Sequence, residues 1–269
     1  MIARRTQREV DILRQANQIV ADTLVAMAEM IRPGITTFEL DLAAEALIRQ
    51  RGGVPAFLGY RGYPNATCIS VDDVVVHGIP GDRRLADGEI VSMDVGVIYK
   101  GYHGDAAVSV PCREVSKEKR RLLDAADRAL ANGIAAARAG NYLEDISRAI
   151  EETCRAEGFS VVRAFVGHGI GTRLHEEPQI PNFVTGERGP RLRSGMVLAI
   201  EPMVNLGVAD IRVLDDGWTA VTADGNPSAH FEHSVVVRDG EPDILSMTSK
   251  RVWGQLRTDV GRVCRKKRR

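Results

Sequence analysis

Cysteine is scarce in this chain of 269 residues, and where it occurs it stands alone. Cys68, Cys112, Cys154 and Cys264 form no Cys-x-x-Cys pair. That excludes a paired-cysteine motif and fits a cytoplasmic protein with reduced thiols. An excess of either charge is also missing: 36 basic residues balance 36 acidic ones. Nothing global therefore points to a nucleic-acid or membrane partner. No apolar run approaches the roughly 18 residues of a membrane span. The polar start, Met1-Ile-Ala-Arg-Arg-Thr-Gln-Arg, has no apolar stretch behind it, so no secretory signal is visible. What is present is ordinary for a soluble globular protein: 44% apolar and 27% charged residues, in a chain long enough for a sizeable core.

Thr6-x-x-Glu9 reads as a capping box, followed by Val10, Leu13, Ala16, Ile19, Val20, Leu24 and Met27 at helical spacing. Arg32-Pro-Gly ends that helix, and a second box, Thr36-x-x-Glu39, opens a shorter one that stops near Gly52-Gly53. Strand-like runs follow at 67–76, 89–98 and 106–110, with Lys100-Gly101 as a hairpin turn. The pattern then restarts. Leu122, Leu123, Ala126, Leu130 and Ile134 mark a long helix. Asn141 is the expected N-cap of a shorter one, and strand-like runs fall at 160–165, 196–200, 218–222 and 231–238. Laid over each other at an offset of 106, the two parts share Arg32/Arg138, Gly34/Gly140, Ala43/Ala149, Glu45/Glu151, Arg49/Arg155 and Gly52/Gly158. The expectation is one α+β domain over 1–251. It would comprise two pseudo-symmetric halves, about 1–115 and 116–251, each a helix pair plus an antiparallel sheet, with the site where they join. Residues 252–269, ending Cys264-Arg-Lys-Lys-Arg-Arg, read as a solvated basic tail, or as a weak electrostatic contact with RNA.

Five residues break the local pattern. Asp94, Asp105, His168, Glu201 and Glu232 sit in apolar or glycine-rich surroundings, where strands disfavour acids and a bare buried carboxylate is costly. Four acids and a histidine make sense around cations. Asp94 and Asp105 lie eleven residues apart, with a midpoint at Tyr99/Lys100, and so fall on facing strands. Gly167-His168-Gly-Ile-Gly171 reads as a flexible turn that lets the backbone approach a ligand. Glu201, before Pro202, projects from a strand end. No cysteine is available near these motifs. The mostly hard oxygen donors favour two divalent ions of Mn²⁺, Fe²⁺ or Co²⁺, with zinc the remaining alternative. Two such ions polarise a carbonyl and activate water, which makes metal-assisted hydrolysis of an amide or ester the reaction class.

Val74-Val-Val-His77-Gly-Ile-Pro80, Asp94-Val-Gly with His103-Gly-Asp105, Gly167-His168-Gly-Ile-Gly, His175-Glu-Glu-Pro, Ile200-Glu201-Pro-Met and Phe231-Glu232-His-Ser together resemble the type I methionine aminopeptidases, in that family's order, over about residues 5–245. The resemblance implies the pita-bread fold and removal of the initiator methionine from nascent proteins when the second residue is small. It implies that Asp94 holds one metal, that His168 and Glu201 hold the other, and that Asp105 and Glu232 bridge. Glu201 would also be the general base, and His77 and His175 would steady the tetrahedral intermediate. The methionine pocket would be Phe57, Tyr60, Tyr63, Cys68, Leu174 and Trp218, with His77 and His175 at its edge. Leu174 and Phe57 depart from residues often found at those positions, a difference that touches pocket shape and not chemistry. The chain reads as the compact bacterial form and as a monomer, with transient ribosome contact open. The alternatives are a prolidase or aminopeptidase P on the same fold, and a non-catalytic RNA- or ribosome-associated protein.

Overall fold

One helix pair occurs twice, 106 residues apart. The computed structural model describes residues 2–248, so the basic tail lies outside the described residues. α1 (Gln7–Met30) and α2 (Thr37–Gln50) are matched by α3 (Lys117–Ala136) and α4 (Leu143–Ala156). α2 and α4 both span 14 residues. Gly34, Gly52, Gly140 and Gly158 close the same turns with φ between 76° and 100°, a backbone region that favours glycine. Both capping boxes form: Thr6 and Thr36 accept from the main chain of Glu9 and Glu39, whose carboxylates return to the cap N–H groups. Asn141 is not the N-cap of α4. Tyr142 holds that position, its N–H donating to Asp145, while the Asn141 amide donates back to the Ala136 carbonyl at the end of α3.

The strands of the first part are β1 (Val54–Pro55), β2 (Thr67–Val71), β3 (Val74–Val76), β4 (Ile90–Tyr99) and β5 (Tyr102–Pro111). In the second part come β6 (Ser160–Val161), β7 (Gly167–Gly169), β8 (Glu176–Ile180), β9 (Val197–Ile200) and β10 (Met203–Asn205). β11 (Ile211–Val213), β12 (Ala220–Thr222), β13 (Ser228–His230), β14 (His233–Val236) and β15 (Asp243–Ile244) complete the set. The expected run at 67–76 is split, because Asp72 turns at φ 52°. The run at 160–165 keeps only two strand residues, and Trp218 precedes β12 rather than belonging to it.

One antiparallel sheet joins β1, β2 and β5 to β4, and a five-stranded one runs β15-β14-β9-β7-β8. β4 and β5 pair along their whole length around Lys100-Gly101, both at positive φ as a two-residue hairpin requires. α1 lies directly on β5. A Cβ at Gly104 would come within 2.7 Å of the α1 backbone at Ala16 and Asn17, so only glycine permits this approach. Leu13, Leu24 and Met27 face inward from α1, each fully buried and each contributing ~1.5–3 kcal/mol by burial. The largest apolar cluster includes Leu24, Met93, Leu130, Ile146, Leu198 and Phe231, and so draws on both helix pairs and both sheets.

Candidate metal centre

β4 and β5 supply the first two acids. Asp94 pairs with Ala107, and Asp105 with Gly96. The two aspartates lie on facing strands, as expected, and are diagonal neighbours on one sheet face, since the hairpin turns at Lys100-Gly101, one position past the midpoint of the pair. β7 supplies His168, paired with Gln179 on β8 and Ala199 on β9. The glycine-rich stretch is thus a strand inside a sheet, not a flexible turn. Its glycines serve close packing: a Cβ at Gly167 would sit 2.5 Å from the Ala199 carbonyl oxygen, and one at Gly169 2.1 Å from that of Glu177. Glu201 follows the end of β9, as expected. Glu232 lies between β13 and β14, its N–H donating to the Ala107 carbonyl of β5 at 2.9 Å. The Ser234 hydroxyl donates to the Asp105 carbonyl at 2.8 Å, and the Asn17 side chain of α1 accepts from the Asp105 N–H at 3.3 Å. These bonds tie the two sheets together around the acids.

Donor atoms of Asp105, His168 and Glu232 all lie within 4.8 Å of one another, and all three residues are buried. His168 Nε2 is 3.4 Å from Glu201 Oε1 and 3.8 Å from Asp105 Oδ2. With its Nδ1 donating to the Gly169 carbonyl at 2.9 Å, Nε2 is left unprotonated toward the carboxylates. Burial, reinforced by His175, pushes His168 down to about 3, so the ring is neutral. Burial pushes Asp94 up to about 7 and Glu201 up to about 8. Asp105 and Glu232 rise well above the carboxylate range, first by burial and then by the neighbouring acids. Asp94 Oδ1, Asp105 Oδ1 and Glu232 Oε1 are buried without a hydrogen-bond partner among the described residues. Unpaired acceptors on crowded acids beside a neutral imidazole fit divalent cations.

All the sequence-predicted site residues line one cavity of about 610 Å³: the five above together with His77, His175, Phe57, Tyr60, Tyr63, Cys68, Leu174 and Trp218. Phe57, Tyr63, Cys68 and Leu174 are buried in one apolar cluster, against which Tyr60 and Trp218 pack. The absence of a cysteine near the acids holds only along the chain. Cys68 of β2 pairs with Asp94, and burial raises its thiol well above the usual range, which keeps it protonated. The Tyr60 hydroxyl lies 2.8 Å from His175 Nδ1 and fixes that ring, which stands 4.3 Å from the ring of His168. His77, at φ 59°, presents its ring edge-on to Phe165 and Trp218 and is pushed by burial down to about 4. Residues not anticipated are Phe165 in the cavity wall and His230, whose Nε2 is 3.7 Å from Glu201 Oε2. His230 stands two residues before Glu232 and was the signal available for it.

The family model of metallopeptidase family M24 matches residues 11–239. A methionine aminopeptidase of Clostridium perfringens is 48% identical over 247 residues, which cover 92% of this chain and 99% of the relative. The crystal structure of methionine aminopeptidase from Thermotoga maritima superposes with a TM-score of 0.90 at 41% identity, covering 91% of this chain and 99% of that one. Prolidase from Pyrococcus furiosus, at 22% identity and a TM-score of 0.74, shares the fold, but 92% of this chain covers only 66% of it. The geometry of the centre, the pita-bread fold and these similarities agree, and the chain belongs to metallopeptidase family M24, among its methionine aminopeptidases.

Proposed function

We propose that this protein removes the initiator methionine from nascent polypeptides with a small second residue, using two divalent ions held by Asp94, Asp105, His168, Glu201 and Glu232. The observation that carries the reading is the convergence of two buried acids, Asp105 and Glu232, two half-buried ones, Asp94 and Glu201, and a neutral histidine on one cavity with an apolar wall. Asp94, Asp105, His168, Glu201 and Glu232 would hold the ions, with Asp94 toward one, His168 and Glu201 toward the other, and Asp105 and Glu232 shared between them. When bound, the ions polarise the scissile carbonyl and acidify water.

The chain's own residues do the rest. Phe57, Tyr63, Cys68, Leu174 and Trp218 take the methionine side chain, and burial of that thioether against aromatic rings favours it. Glu201, its charge restored by the ions it helps to hold, would receive a proton as attack begins. His77 and His175 donate to the tetrahedral intermediate, and Tyr60 holds His175 in place. The second residue must enter beside these two rings, which explains a preference for small side chains. Residues 2–248 act as one unit, because the acids come from both sheets. We place the protein in the cytoplasm as a monomer. Three buried free thiols, Cys68, Cys112 and Cys154, support that compartment, and no helix among the described residues is long and apolar enough to cross a membrane.

The test is release of free methionine from a panel of Met-Xaa peptides, metal by metal. Rapid release with Ala, Gly or Ser second, slow release with Leu or Arg second, and none of proline-linked dipeptide cleavage are expected. Preferential cleavage of Xaa-Pro peptides refutes the reading.

A further inference from the structure

We infer that His230 is a positioning residue for Glu201, its Nε2 donating to the carboxylate oxygen that His168 does not face. The inference rests on the role given to Glu201 above. His230 ends β13 and is 3% exposed. Its main chain is clamped from both sides by one side chain: the Ser109 hydroxyl of β5 accepts from the His230 N–H and donates to its carbonyl, both at 2.8 Å. Ser92 on β4 approaches Ser109 at 2.6 Å and completes the strap. The ring direction is therefore set by the sheet.

Its Nε2 has no hydrogen-bond partner among the described residues, although it is buried. A buried ring nitrogen left unpaired is costly and persists where a working state supplies the partner. Glu201 Oε2 stands 3.7 Å away, while Oε1 of the same carboxylate is 3.4 Å from His168 Nε2. A shift of about half an ångström brings Oε2 within the ~3.2 Å reach of a hydrogen bond. The two oxygens of Glu201 are thereby divided between two histidines, one on β7 and one on β13. Asn182 adds a third restraint by donating to the Glu201 carbonyl at 3.1 Å. Such outer contacts fix the angle at which a carboxylate meets metal and water.

The test compares the full-length Mn²⁺-loaded protein with His230→Leu and His230→Gln. The readouts are kcat and KM on Met-Ala-Ser, Mn²⁺ affinity by calorimetry, and nitrogen couplings to Mn²⁺ by electron spin-echo spectroscopy. His230→Leu should lose about 10–100-fold in kcat, or in Mn²⁺ affinity, with KM changed less than about twofold. His230→Gln, whose amide still donates, should recover most of the loss, and the nitrogen couplings should match wild type in every variant. Should His230→Leu not fold, His230→Asn, too short to reach, replaces it. Unchanged kcat and affinity, failure of Gln to rescue, or loss of a nitrogen coupling, which would make His230 itself a ligand, each overturns the inference. A wild-type protein that releases no methionine overturns instead the function on which it rests.

Discussion

Stripping the metal should make this protein progressively less stable as pH rises from about 4 to 8, and restoring divalent ions should flatten that slope. Without cations, Asp94 holds its proton up to about 7 in the folded state against an ordinary 3.8, and Glu201 up to about 8 against 4.5. Over that window the unfolded chain has already lost those protons and the folded chain has not. The folded state thus binds more protons, and its stability falls with each step upward in pH. The Asp94 interval is about three pH units at ~1.4 kcal/mol each, or about 4 kcal/mol in all. Glu201 is of similar size, though acids this close titrate together and share the penalty rather than doubling it. The part falling between pH 5 and pH 8 is about two units for Asp94, or ~3 kcal/mol, which for a chain of this length corresponds to a Tm lower by about 6–12 °C at pH 8 than at pH 5. Scanning calorimetry of chelator-treated and Mn²⁺-reconstituted protein across pH 5–8 measures it. A metal-free Tm that stays level or rises over that range refutes the picture of crowded acids held apart only by cations.

Other outcomes follow from single contacts. Asp94→Asn or Glu232→Gln should lower peptide hydrolysis by at least about 100-fold while circular dichroism stays native, because the amide keeps the shape and loses the charge. His168→Ala should reduce bound Mn²⁺ from two equivalents toward one, read by equilibrium dialysis. Gly96→Ala should raise KM for methionyl peptides several-fold, since the new Cβ would sit 2.5 Å from the Phe57 ring and push it into the cavity. Gly169→Ala should destabilise the fold by about 1–3 kcal/mol in urea titration, because its Cβ would meet the Glu177 carbonyl and pry β7 from β8.

Much of the site could be read from sequence because its donors violate local rules. An acid inside Val-Ser-Met-Asp-Val-Gly-Val has no structural reason to be there, and the capping boxes and the 106-residue repeat rest on short-range chemistry that sequence spells out directly. What escaped was what depends on distant partners. Gly167-His-Gly looks like a loop until the Ala199 and Glu177 carbonyls are seen crowding it. Asn141 looks like a cap, but its amide is drawn back to the end of α3. The turn at Lys100-Gly101 was legible, but the diagonal offset of Asp94 and Asp105 across it emerges only from the strand pairing. Beyond its place two residues before Glu232, nothing in the sequence marks His230: only the packing of β13 against the acids makes its unpaired nitrogen meaningful.

The donors are spread along the chain in a way that bears on how the molecule is made. Asp94 and Asp105 leave the ribosome early, His168 and Glu201 much later, and Glu232 only near the end of the described residues. On the proposed ligand set, a growing copy lacks its last donor, and cannot trim its neighbours' first residue, until residue 232 has been added and β13 and β14 flank it.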